Sequence, residues 1–180
     1  MSAGRTILNW AGRVPAIEHI EEVSTRETVE LGHWDHTLSE LRDDPDVEEA
    51  IEAIEADLVV NIQGDQPFID PRMIEEAVAP LVHDPQLAMA TLMVPISRPD
   101  DLNDPAVVKV VVDRHRNALY FSRSLIPFPQ KDVPHAVYEH VGLYVYRKDF
   151  LQIYTQLPDT ALGKAEVLEQ LKVLENGYRI

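Results

Sequence analysis

The sequence predicts an α/β fold built on a sheet of mixed strand direction, and three observations carry that prediction. Residues 57–62, DLVVNI, form a continuous apolar and β-branched run, the pattern of a strand buried on both faces. The turn formers of QGDQP stop it, and Asp70 with Pro71 then supplies a cap and first turn for a helix through RMIEEAVAPLV. Four more strand candidates follow, LAMATLMVPI, AVVKVVVD, ALYFSR and VGLYVYR. Strand, helix and strand in that order argue for a layered sheet with a largely parallel centre, to which the later strands add a mixed edge.

Taken in order, the elements begin weakly. Through about residue 42 the chain offers Trp10, Trp34 and short apolar patches, but neither helical nor alternating periodicity is sustained. Residues 1–43 are therefore expected to be a divergent acidic segment, and residues 44–180 the folded domain. Asp44 and Pro45 open a helix in which Val47, Ala50, Ile51 and Ile54 keep helical spacing, ending near Ala56. Pro80 is expected to kink or shorten the helix that Asp70 caps. The last long element, KAEVLEQLKVLEN, places Val167, Leu171 and Leu174 on one helical face, with Gly177 as its stop. The terminal GYRI is expected to enter a further strand.

Composition limits the functions. A chain of 180 residues with 45% hydrophobic content can bury one sizeable core. It has no cysteine, which excludes disulfides, thiolate metal sites and a cysteine nucleophile. A formal charge of −15 argues against a protein that grips polymeric nucleic acid. That charge is uneven, with 15 acids against 4 bases in residues 1–57 and 16 against 12 in the remainder. No stretch resembles a secretory signal or a membrane span, so a soluble cytoplasmic protein without membrane insertion is expected. A mononucleotide remains compatible with an acidic protein, because Mg²⁺ bridges carboxylates to phosphates.

In open α/β sheets, ligands gather beyond the carboxyl ends of the strands, and Asp65 follows such an end. Gly64 permits close backbone approach, and a carboxylate there can bind a hard cation that carries phosphate. On the residues alone, a turn aspartate capping local amides is an equal reading.

Six segments, VVNIQGDQPFIDP, ATLMVPI, AVVKVVVD, ALYFSRSLIP, EHVGLYVYRKDFL and LEQLKVLENGYRI, occur in the order and spacing of the 3-deoxy-manno-octulosonate cytidylyltransferases, the CMP-KDO synthetases. The resemblance covers about residues 56–180. It implies a Rossmann-like nucleotide-diphosphosugar transferase fold, with residues 44–180 as a partial cytidylyltransferase domain. It implies transfer of CMP from CTP to the sugar acid 3-deoxy-D-manno-octulosonate (KDO), with release of pyrophosphate, for lipopolysaccharide biosynthesis. Mg²⁺ is the implied cofactor, and pairing through the region after FSR implies a homodimer.

By the same resemblance, Asp65 is the catalytic metal ligand, and Gln63 and Gly64 approach nucleotide and sugar. Arg123 faces the sugar acid, whose carboxylate a guanidinium can grip in bidentate fashion. His140 precedes GLY and contacts the sugar, although Glu139 stands where the family has arginine. Glu169 and Gln170 reach sugar hydroxyls from a helix. Read without the family, Arg123 is a surface ion pair, His140 a structural histidine, and Glu169 and Gln170 solvated residues beside an apolar stripe. Lys109 reads equally as a snorkelling edge residue and as a phosphate contact.

Two of the family's segments have no counterpart here. The arginine-, glycine- and lysine-rich loop for the triphosphate is not matched by MSAGRTILNWAGRVPA, and Asp35 and His36 are only a faint echo of the acidic segment before QGD. The family's second acidic metal motif lies beyond GYRI. The fold is thus expected to be truncated at both ends, which leaves two alternatives to the enzyme. One is a noncatalytic remnant that binds sugar, metal or a partner subunit, and the other an enzyme resembling the CMP-sialic acid synthetases.

Overall fold

The computed structural model describes residues 6–10, 20–23, 57–62, 70–131 and 133–180. The expected helix from Asp44 to Ala56 lies outside the described residues. The chain divides into two compact units, one of Met1–Ala90 with Gly142–Gln156, the other of Thr91–Val141 with Leu157–Ile180.

In the first unit, β1 (Thr6–Trp10) pairs antiparallel with both β2 (Ile20–Val23) and β3 (Leu58–Ile62). The strands β1 and β2 occupy a region where the sequence showed no sustained period. They are 5 and 4 residues long, too short for alternation to stand out. β3 is the buried strand expected from DLVVNI, with Leu58, Val59 and Val60 all in the core. Helix α1 (Pro71–His83) follows and packs against β3. Asp70 caps it, accepting the Arg72 amide hydrogen at 3.0 Å. Ile74, Ala77, Val78 and Leu81 form its buried face. Pro80 does not shorten α1 as expected, because the helix runs three residues past it to His83. Its end is held by Arg147, whose guanidinium donates to the carbonyls of Leu81, Asp84 and Leu87.

Strand β4 (Met89–Pro95) and strand β7 (Tyr138–Arg147) belong to both units, β7 giving the second its first four residues and the first its last six. Leu58 of β3 faces Arg147 of β7 in antiparallel register, and Arg147 gives its backbone N–H to Ala88, just before β4. Two partners at one residue must occupy opposite strand edges. Strand β7 therefore runs between β3 and β4 and antiparallel to each, so those two are parallel to one another and joined through α1. This is a split β-α-β unit, and the sheet is mixed as expected. The parallel strands are separated neighbours, however, and every pairing with a described register is antiparallel.

Helix α2 (Lys148–Gln156) completes this unit. It buries Phe150, Leu151 and Tyr154, with Tyr154 stacked obliquely between Tyr146 and Phe150 at centroid distances of 5.4 and 6.4 Å.

In the second unit, β5 (Lys109–Val112) and β6 (Ala118–Ser122) form an antiparallel hairpin, and β5 also pairs with the start of β7. Asp113 organises the turn by accepting hydrogens from the amides of His115 and Asn117 and from the Asn117 side chain. The single helix expected over residues 164–176 is two helices, α3 (Ala161–Glu166) and α4 (Gln170–Glu175). Val167 breaks them apart in a left-handed conformation, φ 54° and ψ 52°, with 71% of its surface exposed. It is not on the buried face with Leu171 as the spacing implied. The broken pair is stapled by Glu175, whose carboxylate accepts the first-turn amides of Leu162 and Gly163. A Cβ at Gly163 would lie 2.9 Å from the hydroxyl oxygen of Thr160, so a side chain there would crowd the residue that precedes α3. Gly177 ends α4 at φ 83° as expected. Ile180 then accepts the Ala118 amide hydrogen at 2.8 Å, laying the last residue along β6.

Candidate functional site

The second unit gathers Lys109, Ser122, Arg123, Glu166 and the start of α4 around the carboxyl end of β6. The hairpin register sets Lys109 opposite Ser122, which is why two polar residues share a buried level of the sheet.

Arg123 directly follows β6. Its Nε donates to the Glu166 carbonyl at 2.7 Å, its Nη1 to Pro105 at 2.9 Å and its Nη2 to Val167 at 3.3 Å. Three of its five N–H groups are thus used, all on neutral acceptors. It is not the surface ion pair that a lone arginine suggests. Among the described residues no carboxylate pairs with this guanidinium, which leaves its charge available to an anion.

The Glu166 carboxylate contacts the main chain beside the guanidinium. It accepts the Ser122 hydroxyl at 2.6 Å through Oε1 and the Arg123 amide at 2.9 Å through Oε2. Burial pushes its pKa up, but these hydrogen bonds, a further one from the Tyr120 hydroxyl and the nearby Arg123 charge together outweigh burial and hold it below the ordinary carboxylate value. The phenol of nearby Tyr120 is shifted upward by burial and by the Glu166 charge.

Lys109 is fully buried, at 0% exposure, so it does not snorkel to an edge. Its ammonium donates to the carbonyls of Asp104 and Val107 at 2.8 and 2.7 Å. Burial lowers its pKa, with the Asp104 charge opposing.

His140 lies in β7 of the same unit. Its Nε2 is 2.9 Å from the Thr91 hydroxyl, and its ring meets Phe121 edge-on at 5.0 Å. Burial lowers its pKa to about 4. Glu169 is half-buried at the start of α4, while Gln170 is 3% exposed, contrary to the solvated position that its place beside an apolar stripe suggests. The Gln170 Nε2 finds no hydrogen-bond partner among the described residues, an unusual state for a buried amide.

Gln63, Gly64 and Asp65 lie outside the described residues. Among the described residues no three metal-ligating side chains converge, and no helix is long and apolar enough to cross a membrane. A cavity of about 410 Å³ in the first unit, lined by Asp57, Arg147, Lys148, Asp149 and Gln152, contains none of the expected site residues.

Glu166 escaped the sequence reading because it sits inside what reads as one helix. The helix break that turns it toward Ser122 falls at a valine, which carries no breaking signal.

The sequence and the fold both match a known class. The cytidylyltransferase family model matches residues 37–180, and the chain belongs to that family. Within it the chain is similar to the 3-deoxy-manno-octulosonate cytidylyltransferases. It is 50% identical to that of Syntrophotalea carbinolica over 136 residues, covering 71% of this chain and 54% of the relative. It is 47% identical to that of Geobacter sulfurreducens over 163 residues, covering 84% and 64%. A solved CMP:2-keto-3-deoxy-manno-octonic acid synthetase complexed with CTP superposes with a TM-score of 0.72 at 41% identity, covering 81% of this chain and 58% of that one. The chain spans a little over half the length of the curated relatives it matches.

Proposed function

We propose that the chain serves the transfer of CMP from CTP to 3-deoxy-D-manno-octulosonate, giving CMP-KDO and pyrophosphate for lipopolysaccharide biosynthesis in the cytoplasm. The observation that carries this reading is the 41% identity, at a TM-score of 0.72, to a synthetase of that sugar acid complexed with CTP.

In this reading the anomeric hydroxyl of the sugar attacks the α-phosphorus of CTP. A new P–O bond forms as the hydroxyl releases its proton to water, the α–β phosphoanhydride breaks, and pyrophosphate leaves with the bonding pair. Arg123 supplies the sugar's carboxylate with a cation that is already held but not neutralised. His140, neutral above its lowered pKa of about 4, offers a hydrogen-bonding ring without a second charge. Gln170 brings an amide donor whose unmet hydrogen bond suits a sugar hydroxyl. Gln63 and Gly64 would contact the substrates, Glu169 would join the sugar contacts, and Asp65 would hold Mg²⁺, which would offset charge on the triphosphate. A homodimer is part of the same reading.

The test is pyrophosphate release by the purified chain given CTP, KDO and Mg²⁺, with Asp65→Ala alongside. Release that disappears in the variant supports the reading. No release from folded protein overturns catalysis by this chain and favours a noncatalytic binding role, and turnover of a sialic acid in preference to KDO would reassign the sugar.

A further inference from the structure

We infer that Glu166 is a positioning residue for the sugar-acid site, orienting the Arg123 guanidinium without pairing with it. The inference rests on the function proposed above and adds a residue to it. Glu166 meets Arg123 at two places. Its carboxylate accepts the Arg123 backbone N–H at 2.9 Å, and its own main-chain carbonyl accepts Nε–H at 2.7 Å. The first bond fixes where the arginine leaves β6, and the second fixes the plane of its guanidinium.

Ser122 extends the arrangement, donating its hydroxyl hydrogen to Glu166 at 2.6 Å while accepting the Ser124 amide at 3.0 Å. The carboxylate is therefore clamped to both residues at the end of β6. Its main chain is pinned with it, and Val167, next in the chain, turns left-handed and presents its carbonyl to Nη2. A β-branched residue at positive φ is strained, and here the strain brings two successive carbonyls onto one guanidinium. With Pro105 on Nη1, the bonds leave one N–H on each Nη, enough for the two oxygens of a carboxylate. An ion pair at the fork would have occupied the N–H groups that an incoming carboxylate needs. A carboxylate that grips the neighbouring amide instead keeps the fork aimed and those N–H groups open.

The experiment is a double-mutant cycle on the full chain with Glu166→Ala, Arg123→Ala and both together, reading kcat/KM for the sugar acid and KM for CTP. Glu166→Ala is expected to lower sugar-acid kcat/KM about tenfold, the loss that follows when a charge-assisted contact is misaligned. The same change should cost less than about twofold in the Arg123→Ala background, because its effect runs through the arginine. Equal losses in both backgrounds, or a matching rise in KM for CTP, would overturn the inference and leave Glu166 a structural residue.

A wild-type chain that releases no pyrophosphate would instead count against the proposed function. The exchange rate of the Arg123 Nε hydrogen, followed by nitrogen-15 NMR, then decides the positioning role. Faster exchange in Glu166→Ala supports it, and unchanged exchange refutes it.

Discussion

His140 and Thr91 lie 2.9 Å apart, and a neighbouring carbonyl decides which of them donates. The Thr91 hydroxyl hydrogen goes to the Val141 carbonyl oxygen at 3.1 Å, which can only accept, so the His140 Nε2 carries the hydrogen that Thr91 receives. Burial, which lowers the His140 pKa to about 4, keeps the ring neutral near pH 7.

A pH dependence of stability follows. Burial depresses the His140 pKa from 6.5 to about 4, so the unfolded chain binds this proton more readily than the folded one. The contribution is fully present above pH 6.5 and is lost as pH falls toward 4, by about 2–3 kcal/mol. Urea unfolding of wild type and His140→Gln at pH 7 and pH 4.5 checks it. The variant should lose clearly less stability over that interval than the wild type.

Lys109 offers a second test. Replacing it by Met keeps its length and apolar stem but strips the Asp104 and Val107 carbonyls of their buried donor. A loss of about 2–3 kcal/mol in chemical denaturation is expected. Lys109→Met as stable as the wild type would mean that those carbonyls find water instead.

Arg147 ties three carbonyls at the end of α1, a task for a planar fork. Arg147→Lys should destabilise the chain by about 1–2 kcal/mol, and amide exchange should quicken first near the end of that helix. Uniform quickening across α1 would place the effect elsewhere.

Val167 supplies a change of opposite sign. It is mostly exposed, so its side chain contributes little burial, while its backbone sits at φ 54°. Val167→Asn, which tolerates that region, should raise stability by about 0.5–1 kcal/mol in thermal or urea unfolding. A decrease would show that the valine side chain makes a contact worth more than its strain.

Much of the fold was legible because its core strands are built from long apolar runs. DLVVNI and VGLYVYR could be little else, and Asp70–Pro71 and Gly177 mark helix ends through backbone chemistry. Less was visible where tertiary context overrides local preference. The helix continues past Pro80, and β7 returns from far along the chain to separate two parallel strands. Helix α2 has a helical spacing in Phe150, Leu151 and Tyr154, but with no loop before it the segment reads as a continuation of β7. At the site, Arg123 and His140 stood out only through resemblance, and the burial of Lys109 and Gln170 had no marker in a polar letter. Glu166 depends on a turn that no residue announces.

The insertion of β7 between β3 and β4 also orders events in time. During synthesis, at ~5–20 residues per second, β3, α1 and β4 emerge seconds before the strand that must join them. The two parallel strands cannot simply close on one another in the interval without excluding the native arrangement. Productive folding of this sheet must therefore await Tyr138–Arg147, and a nascent chain halted before that strand would expose two hungry edges to chaperones or to its neighbours.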